Sequence, residues 1–189
     1  MLVACEFSGR VRDAFLARGH DALSCDILPT ESPGPHYQGD VLTILNEGWD
    51  LMIAHPPCTY LANSGLHWNQ RIPGRFQYTD RAAEFFLKLW NAPIDKIMVE
   101  NPVGAMSTRF RKPDQYIQPW EYGHPATKRT CLWLKNLPLL VPTNILPPDQ
   151  RKLNLTPGGH SKVGYLPYRD EIRSLTYEGW AEAFANQWG

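Results

Sequence analysis

Short apolar runs alternate along the chain with longer stretches in which apolar residues recur at helical spacing. Met1 to Cys5 is apolar, Glu6-Phe7-Ser8-Gly9 interrupts it, and Val11, Ala14, Phe15 and Leu16 then carry a helical pattern that stops at Gly19. Asp21 to Asp26 reads as a second short strand ending in an acid, followed by a loop through Pro29, Pro33, Gly34 and Pro35 and a further short segment opened by Gly39-Asp40-Val41. Asp50 to Ala54 is apolar until Pro56-Pro57 stops it, the pattern of a strand buried on both faces of a parallel sheet. Thr79 to Trp90 carries a stripe of Ala82, Ala83, Phe85, Phe86 and Leu89, with Thr79 in N-cap position. Ile94 to Val99 and Thr130 to Leu134 are the next strands, and Glu178 to Trp188 closes the chain as an amphipathic helix. This alternation predicts an α/β fold, an open and mostly parallel sheet with helices on both faces. Residues 141–173, approximately, are rich in Pro and Gly, carry little periodicity and are read as loop or a small subdomain.

Composition narrows the picture. At 189 residues and 43% hydrophobic the chain suits one domain, which at this size buries roughly 70% of its unfolded surface and folds without disulfides or a structural metal. Lys and Arg total 19 against 19 Asp and Glu, so bulk positive charge does not drive binding to a polyanion and any such site is a local patch. No apolar run approaches the roughly 20 residues of a membrane span, and the first residues do not show the basic stretch and apolar core of a signal peptide. A cytoplasmic protein with no membrane association and no obligate protein partner is therefore expected. Cysteines stand at 5, 25, 58 and 131 with no Cys-x-x-Cys pair, which argues against a zinc site and against a secreted disulfide framework.

In open α/β sheets ligands gather at the carboxyl ends of the strands. Those positions are loaded here: Glu6-Phe7-Ser8-Gly9 after the first strand, Asp26 after the second, Asp40 near the third, His55-Pro56-Pro57-Cys58 after the fourth and Glu100-Asn101-Pro102 after the fifth. Two prolines stiffen the backbone before Cys58 and display its thiol on a loop. Phosphatase chemistry needs an arginine six residues on, and position 64 is Ser64. A protease would pair the thiol with His55 or His124, but no surrounding signature supports that.

These residues, in this order, resemble the DNA cytosine-5 methyltransferases that use S-adenosyl-L-methionine, in a short form like those of bacteriophages and prophages. Phe7-x-Gly9 is similar to the start of that family's cofactor loop, Pro56-Pro57-Cys58 to its nucleophile motif, Glu100-Asn101 to its Glu-Asn-Val motif and Thr127-Lys128-Arg129 to its Gln-x-Arg-x-Arg motif. The resemblance runs over residues 1–135 and implies a Rossmann-like methyltransferase fold. Residues 1–189 would then be a single catalytic domain with a reduced recognition segment at about 141–173 and a closing helix at about 178–188. It also departs from the family. Val11 and Arg12 replace two loop glycines, His55 stands where glycine is common, and the large target-recognition region is missing.

The resemblance implies roles. Cys58 would add to carbon 6 of cytosine as a thiolate, making carbon 5 a nucleophile. Glu100, its pKa raised by partial burial, would share a proton with ring N3. Asn101 would orient the loop, and Arg129 would hold the base carbonyl or a phosphate. Glu6, Phe7, Ser8, Gly9, Asp26, Ile27, Asp40 and Pro56 would line the S-adenosyl-L-methionine site, the two aspartates taking ribose hydroxyls and the adenine amino group. The partner would be DNA, single- or double-stranded, with the target base flipped out. Candidate backbone contacts are Arg71, Arg75, Arg109, Arg111, Lys112, Lys128, Arg151 and Lys152, and Tyr60, Trp68 and Tyr78 are candidates for stacking on bases. With so little recognition surface, relaxed sequence specificity is expected. The alternatives are the same chemistry on a free pyrimidine nucleotide, amino-group methylation, and a non-catalytic DNA- or partner-binding protein of this fold.

Overall fold

The computed structural model describes residues 1–153 and 175–189. In chain order the elements are β1 (Leu2–Ala4), α1 (Arg10–Leu16), β2 (Leu23–Asp26), β3 (His36–Gln38), β4 (Leu51–Ala54), α2 (Asn63–Leu66), α3 (Phe76–Trp90), β5 (Lys96–Pro102), α4 (Met106–Arg109), β6 (Gln115–Ile117), β7 (Ala126–Thr127), β8 (Thr130–Lys135), β9 (Lys152–Leu153) and α5 (Glu178–Trp188). Seven strands form one sheet in the order β3-β2-β1-β4-β5-β8-β6, and β7 pairs with β9 in a small second ladder. β1 to β5 are mutually parallel where they pair, while β8 runs antiparallel to both β5 and β6. The fold is thus α/β and Rossmann-like, with a mostly parallel sheet. Strand order reverses beside β1: the chain lays β2 and β3 on one side of it, then returns to place β4 and β5 on the other. The crevice for a ligand lies where the carboxyl ends of β1 and β4 diverge from that switch.

Period-two alternation sorts the strand residues into two cores. Leu2, Ala4, Met52, Ala54, Ile97 and Val99 face a layer built around Phe86, Leu89 and Trp133. Val3, Leu51, Ile53 and Met98 face the opposite layer with Phe15, Trp180, Phe184 and Trp188. α3 therefore covers one face, while α1 and α5 cover the other. Phe86 meets Trp133 edge to face with centroids 5.1 Å apart, a geometry that contributes about 0.5–1.5 kcal/mol beyond burial.

Several sequence boundaries move. Thr79 does not cap α3. The helix begins at Phe76, and Thr79 is buried inside it, accepting a hydrogen bond from Asn69 Nδ2 at 2.8 Å. A side-chain partner outside the helix explains a hydroxyl that mimicked a cap. The fifth strand runs through Pro102, so Glu100 and Asn101 lie in it rather than after it, because β8 continues to pair with them. Cys5 lies outside β1, with φ +59°. The third strand is His36–Gln38, inside the loop rich in Pro and Gly. It is a mostly exposed edge strand and leaves little hydrophobic signal. Asp40 instead accepts from Leu42 N–H and starts a 3-10 turn. The proposed recognition segment lies mainly outside the described residues, which end at 153 and resume at 175. Among the described residues no helix is long and apolar enough to cross a membrane.

One contact joins the loops that follow β4 and β5. Asn63 N–H donates to the Val103 carbonyl at 3.0 Å and Ala105 N–H to the Leu61 carbonyl at 2.8 Å, a two-bond antiparallel bridge between Ala62 and Gly104. A Cβ on Gly104 would lie 1.9 Å from the Leu61 carbonyl oxygen, so only glycine lets the two backbones close. Gly104→Ala is expected to destabilise the protein by about 1–3 kcal/mol, in the range of overpacked sites, seen as a lower urea midpoint with an unchanged slope.

Candidate active site

The sheet brings the candidate residues to one edge. Ala4 pairs with Ala54, and Ala54 with Val99, so His55 emerges next to Glu100. His55 Nδ1 lies 3.3 Å from Glu100 Oε2, with the two side chains only 9% and 13% exposed. Asn101 Nδ2 donates to the Pro56 carbonyl at 2.9 Å. The side chain after one strand thereby holds the Pro-Pro turn after its neighbour, and Pro57, Cys58 and Thr59 stand exposed beyond it.

Burial, taken alone, raises the pKa of Glu100. The hydrogen bond from His55, the charge of Lys128 and the charge of His55 outweigh it, and the carboxyl is held below its ordinary value. The raised pKa expected for Glu100 is therefore corrected: the group is a stabilised carboxylate. Lys128, expected on a nucleic-acid contact surface, puts its charge near Glu100, and its Nζ lies 6.0 Å from the centroid of Trp180. Glu100 Oε1, His55 Nε2 and Asn101 Oδ1 are buried with no hydrogen-bond partner among the described residues. Left without a partner such atoms cost about 1–3 kcal/mol each, and the three lie on neighbouring side chains at this edge of the sheet. Arg129 lies 3.9 Å from the centroid of Tyr116.

The first loop is built around Glu6. Its buried carboxylate accepts from Val11 N–H at 2.7 Å, Arg12 N–H at 3.3 Å and the Ser8 hydroxyl at 3.3 Å. Glu6 thus satisfies the amino end of α1, which Gly9 opens in the left-handed region at φ +76°. Desolvation raises its pKa against the opposing Val11 hydrogen bond, the charge of His55, and the Arg12 and Ser8 hydrogen bonds. Glu6 therefore holds the loop expected to line the cofactor site. Phe7 and Ser8 are buried beside it.

Arg12 replaces a glycine of the resembling loop and is fully buried. It donates to the Ser24 and Thr30 hydroxyls at 3.1 and 3.2 Å and to the Ser32 carbonyl at 2.9 Å, with longer bonds to the Pro33 and Pro35 carbonyls and an ion pair to Asp13. One guanidinium pins residues 30–35 over the first loop. Sequence reading missed both Arg12 and the pairing of His55 with Glu100. Arg12 sits at a polar helix position that looks solvent-facing, whereas the strand register carried a usable signal for His55.

Asp26 and Asp40 lie on the other side of the crevice. Asp26 accepts from Leu28 N–H at 3.0 Å, Ile27 is exposed, and both aspartates act on the thiols of Cys5 and Cys25, whose pKa values rise through burial first and these charges second. The remaining cation candidates divide. Arg71 and Arg75 lie on residues 60–81 beyond Cys58. Arg109 pairs with Asp80. Arg111 pairs with Asp114 at 2.7 Å and reaches the Leu134 carbonyl, toward the opposite end of β8 from Thr130, with Lys112 exposed beside it. These two arginines are committed to ion pairs within the chain.

Neither a protein-family model nor a curated protein matches the chain. Among solved structures it is similar to a candidate DNA modification methyltransferase encoded within a prophage of E. coli, with 17% identity, 78% of this chain and 52% of that chain covered, and a TM-score of 0.47. The chain spans about half the length of that protein.

Two outcomes follow from the side chains described. Arg12→Met is expected to cost several kcal/mol in chemical unfolding, because each carbonyl or hydroxyl left dry costs about 1–3 kcal/mol, and to open residues 27–35 to limited proteolysis. For Glu100 the folded pKa lies below the unfolded one, so the unfolded state binds more protons in the acid range and stability falls as pH drops through that window. Glu100→Gln removes the charge-assisted part of the His55 contact, about 1 kcal/mol. Its deficit against wild type is expected at neutral pH and to vanish well below pH 4.5. Urea midpoints of both proteins from pH 3 to 7 measure it.

Proposed function

We propose that this protein transfers a methyl group from S-adenosyl-L-methionine to carbon 5 of cytosine in DNA through a covalent adduct on Cys58, with relaxed sequence specificity. One observation carries the reading: Asn101 and the Ala62–Gly104 bridge fix the Pro56-Pro57-Cys58 turn beside the buried Glu100 carboxylate.

The donor site fits a cationic ligand better than an anionic one. In a nucleotide-binding sheet the first helix offers its amides to phosphate. Here the buried Glu6 carboxylate already takes them, and Asp26 and Asp40 add negative charge at the neighbouring strand ends. A pyrophosphate would meet acids and occupied donors, whereas a sulfonium and an ammonium would meet favourable charge. Phe7, Ser8, Gly9, Ile27 and Pro56 would line that site, with Asp26 and Asp40 accepting from ribose and adenine. When bound, S-adenosyl-L-methionine supplies an electrophilic methyl group.

The chain's own residues prepare the base to receive it. Cys58 loses its proton and its sulfur bonds to carbon 6; the π electrons of the ring move toward carbon 5 as N3 takes up a proton. Glu100, anionic through His55 and Lys128, accepts hydrogen bonds from the N3 proton and the exocyclic amino group, and so favours the protonated adduct over the free base. Its depressed pKa suits this acceptor role. After carbon 5 is substituted, its proton leaves to a base, the carbon–sulfur bond breaks with its electron pair returning to sulfur, and the N3 proton passes back to the thiolate, which restores the neutral ring and the thiol. Asn101 keeps Cys58 in register throughout, and Arg129 would take the base carbonyl or a flanking phosphate.

Mass analysis of nucleosides from DNA incubated with protein and donor is expected to show 5-methyldeoxycytidine. Cys58→Ala should lower the rate at least ~10³-fold, the scale at which loss of an essential catalytic group is felt, and should abolish the stable adduct that wild type forms with 5-fluorocytosine DNA. Methyl groups on an exocyclic nitrogen, or undiminished transfer by Cys58→Ala, would refute the proposal.

A further inference from the structure

Aromatic rings and guanidinium groups are interleaved over residues 60–81, on the segment leaving Cys58. Tyr60, two residues beyond the thiol, stacks on Tyr78 with centroids 5.3 Å apart and planes 20° from parallel. Arg75 lies 4.7 Å from the Tyr60 centroid, Arg81 5.8 Å from that of Tyr78 and Arg71 5.4 Å from that of Trp68. Trp68, Ile72, Phe76 and Tyr78 are nevertheless exposed, at 42%, 47%, 55% and 50%. Leaving large apolar side chains in water forgoes the free energy of burying them, so four such neighbours, three of them aromatic, on one short stretch are a surface kept for contact.

The charge on this surface is uncompensated. Among the described residues, the arginine ion pairs involve Arg12, Arg109 and Arg111. Arg71, Arg75 and Arg81 make none, in a chain whose formal charge sums to zero, and Arg75 Nη1 is buried without a hydrogen-bond partner. The surface is also held in shape. A Cβ on Gly65 would lie 2.4 Å from the Thr59 carbonyl oxygen, so the segment folds tightly back on the turn after Cys58. The Asn69–Thr79 bond ties it to α3.

The geometry points to residues 60–81 as a platform for single-stranded DNA. Bases flanking the target stack on Trp68, Phe76 and Tyr78 while Arg71, Arg75 and Arg81 take phosphates. This rests on the reading of the site above for DNA as the polyanion. Single strands follow from the chemistry of the surface: a duplex hides its base faces, and ring faces left in water bind bases that are already unstacked. Three arginines on this surface, in a chain with no net charge, also suit a strand that is already open better than a duplex from which a base must first be flipped.

The test is fluorescence anisotropy of the whole chain with a labelled 20-nucleotide single strand, the blunt duplex of that sequence and the matching RNA, from 50 to 300 mM salt and without methyl donor. The single-stranded DNA is expected to bind at least about tenfold tighter than either competitor, with a log–log salt slope near −2, the value for about three neutralised phosphates on a single strand. Tyr78→Ala and Trp68→Ala should each weaken it about five- to a hundredfold, the range for loss of one stacked base, whereas Tyr78→Phe should bind as wild type. Circular dichroism confirms that the variants fold, and either alanine variant suffices alone. Equal or tighter binding of duplex or RNA, or indifference to both alanine variants, overturns the platform. A chain that binds single strands but leaves cytosine unmodified keeps the platform and loses the reaction; one that methylates cytosine with both alanine variants binding normally keeps the reaction and loses the platform.

Discussion

The alignment of β4 with β5 is the constraint on which the rest depends. Because Ala54 lies opposite Val99, the residues that leave the two strands emerge level, and His55 meets Glu100 while Pro56 meets Asn101. A one-residue slip would turn every side chain of β4 to the other face, exchanging Met52 and Ala54 with Ile53 between two packed cores. The register is therefore set by hydrophobic burial over the whole sheet. Two hydrogen bonds at the Ala62–Gly104 bridge and one from Asn101 only extend it by a few residues. Bulk core packing positions a thiol and a carboxylate that each lie beyond or at the end of a strand.

The same edge shows how charge is distributed in a chain with none to spare. Glu6 is buried at real desolvation cost, offset by three donors, and its gain is a closed amino end for α1. Arg12 is buried at similar cost and joins residues 30–35 to the helix. Glu100 keeps its negative charge because His55 and Lys128 come from different strand ends to meet it. An acid that caps, a base that braces and an acid held charged by its neighbours thus follow the carboxyl ends of this sheet. In the proposed reaction only the last needs to act on substrate, and the other two explain why its surroundings hold still.

The layer order and most elements were legible in the sequence because burial on both faces leaves long apolar runs, as at Leu51–Ala54, and because α3 and α5 carry clean stripes. β3 was hidden because an edge strand of three residues with little buried area leaves no such run. Thr79 misled because a hydroxyl bonded to Asn69 looks, in sequence, like one bonded to its own backbone. Of the site, the positions after the strands could be read from chain order, but the electrostatics could not. The sign of the Glu100 shift depends on His55 lying beside it across the sheet and on Lys128 arriving from before β8, and neither neighbour is near in sequence.

His55 is the clearest case of a departure with a physical consequence. Burial pushes the Glu100 pKa upward where nothing opposes it. An imidazole beside it reverses the balance. The two arrangements call for different chemistry at the ring nitrogen: a neutral acid must give its own proton, whereas a carboxylate can only receive hydrogen bonds from a ring that has taken its proton elsewhere. In the proposed reaction the thiol loses a proton before it adds, and the second arrangement would move that proton from sulfur to ring nitrogen and leave the carboxylate's charge unchanged, so that step would create no ion in the buried part of the crevice. That balance is what the His55–Glu100 contact, set by the β4–β5 register, makes available.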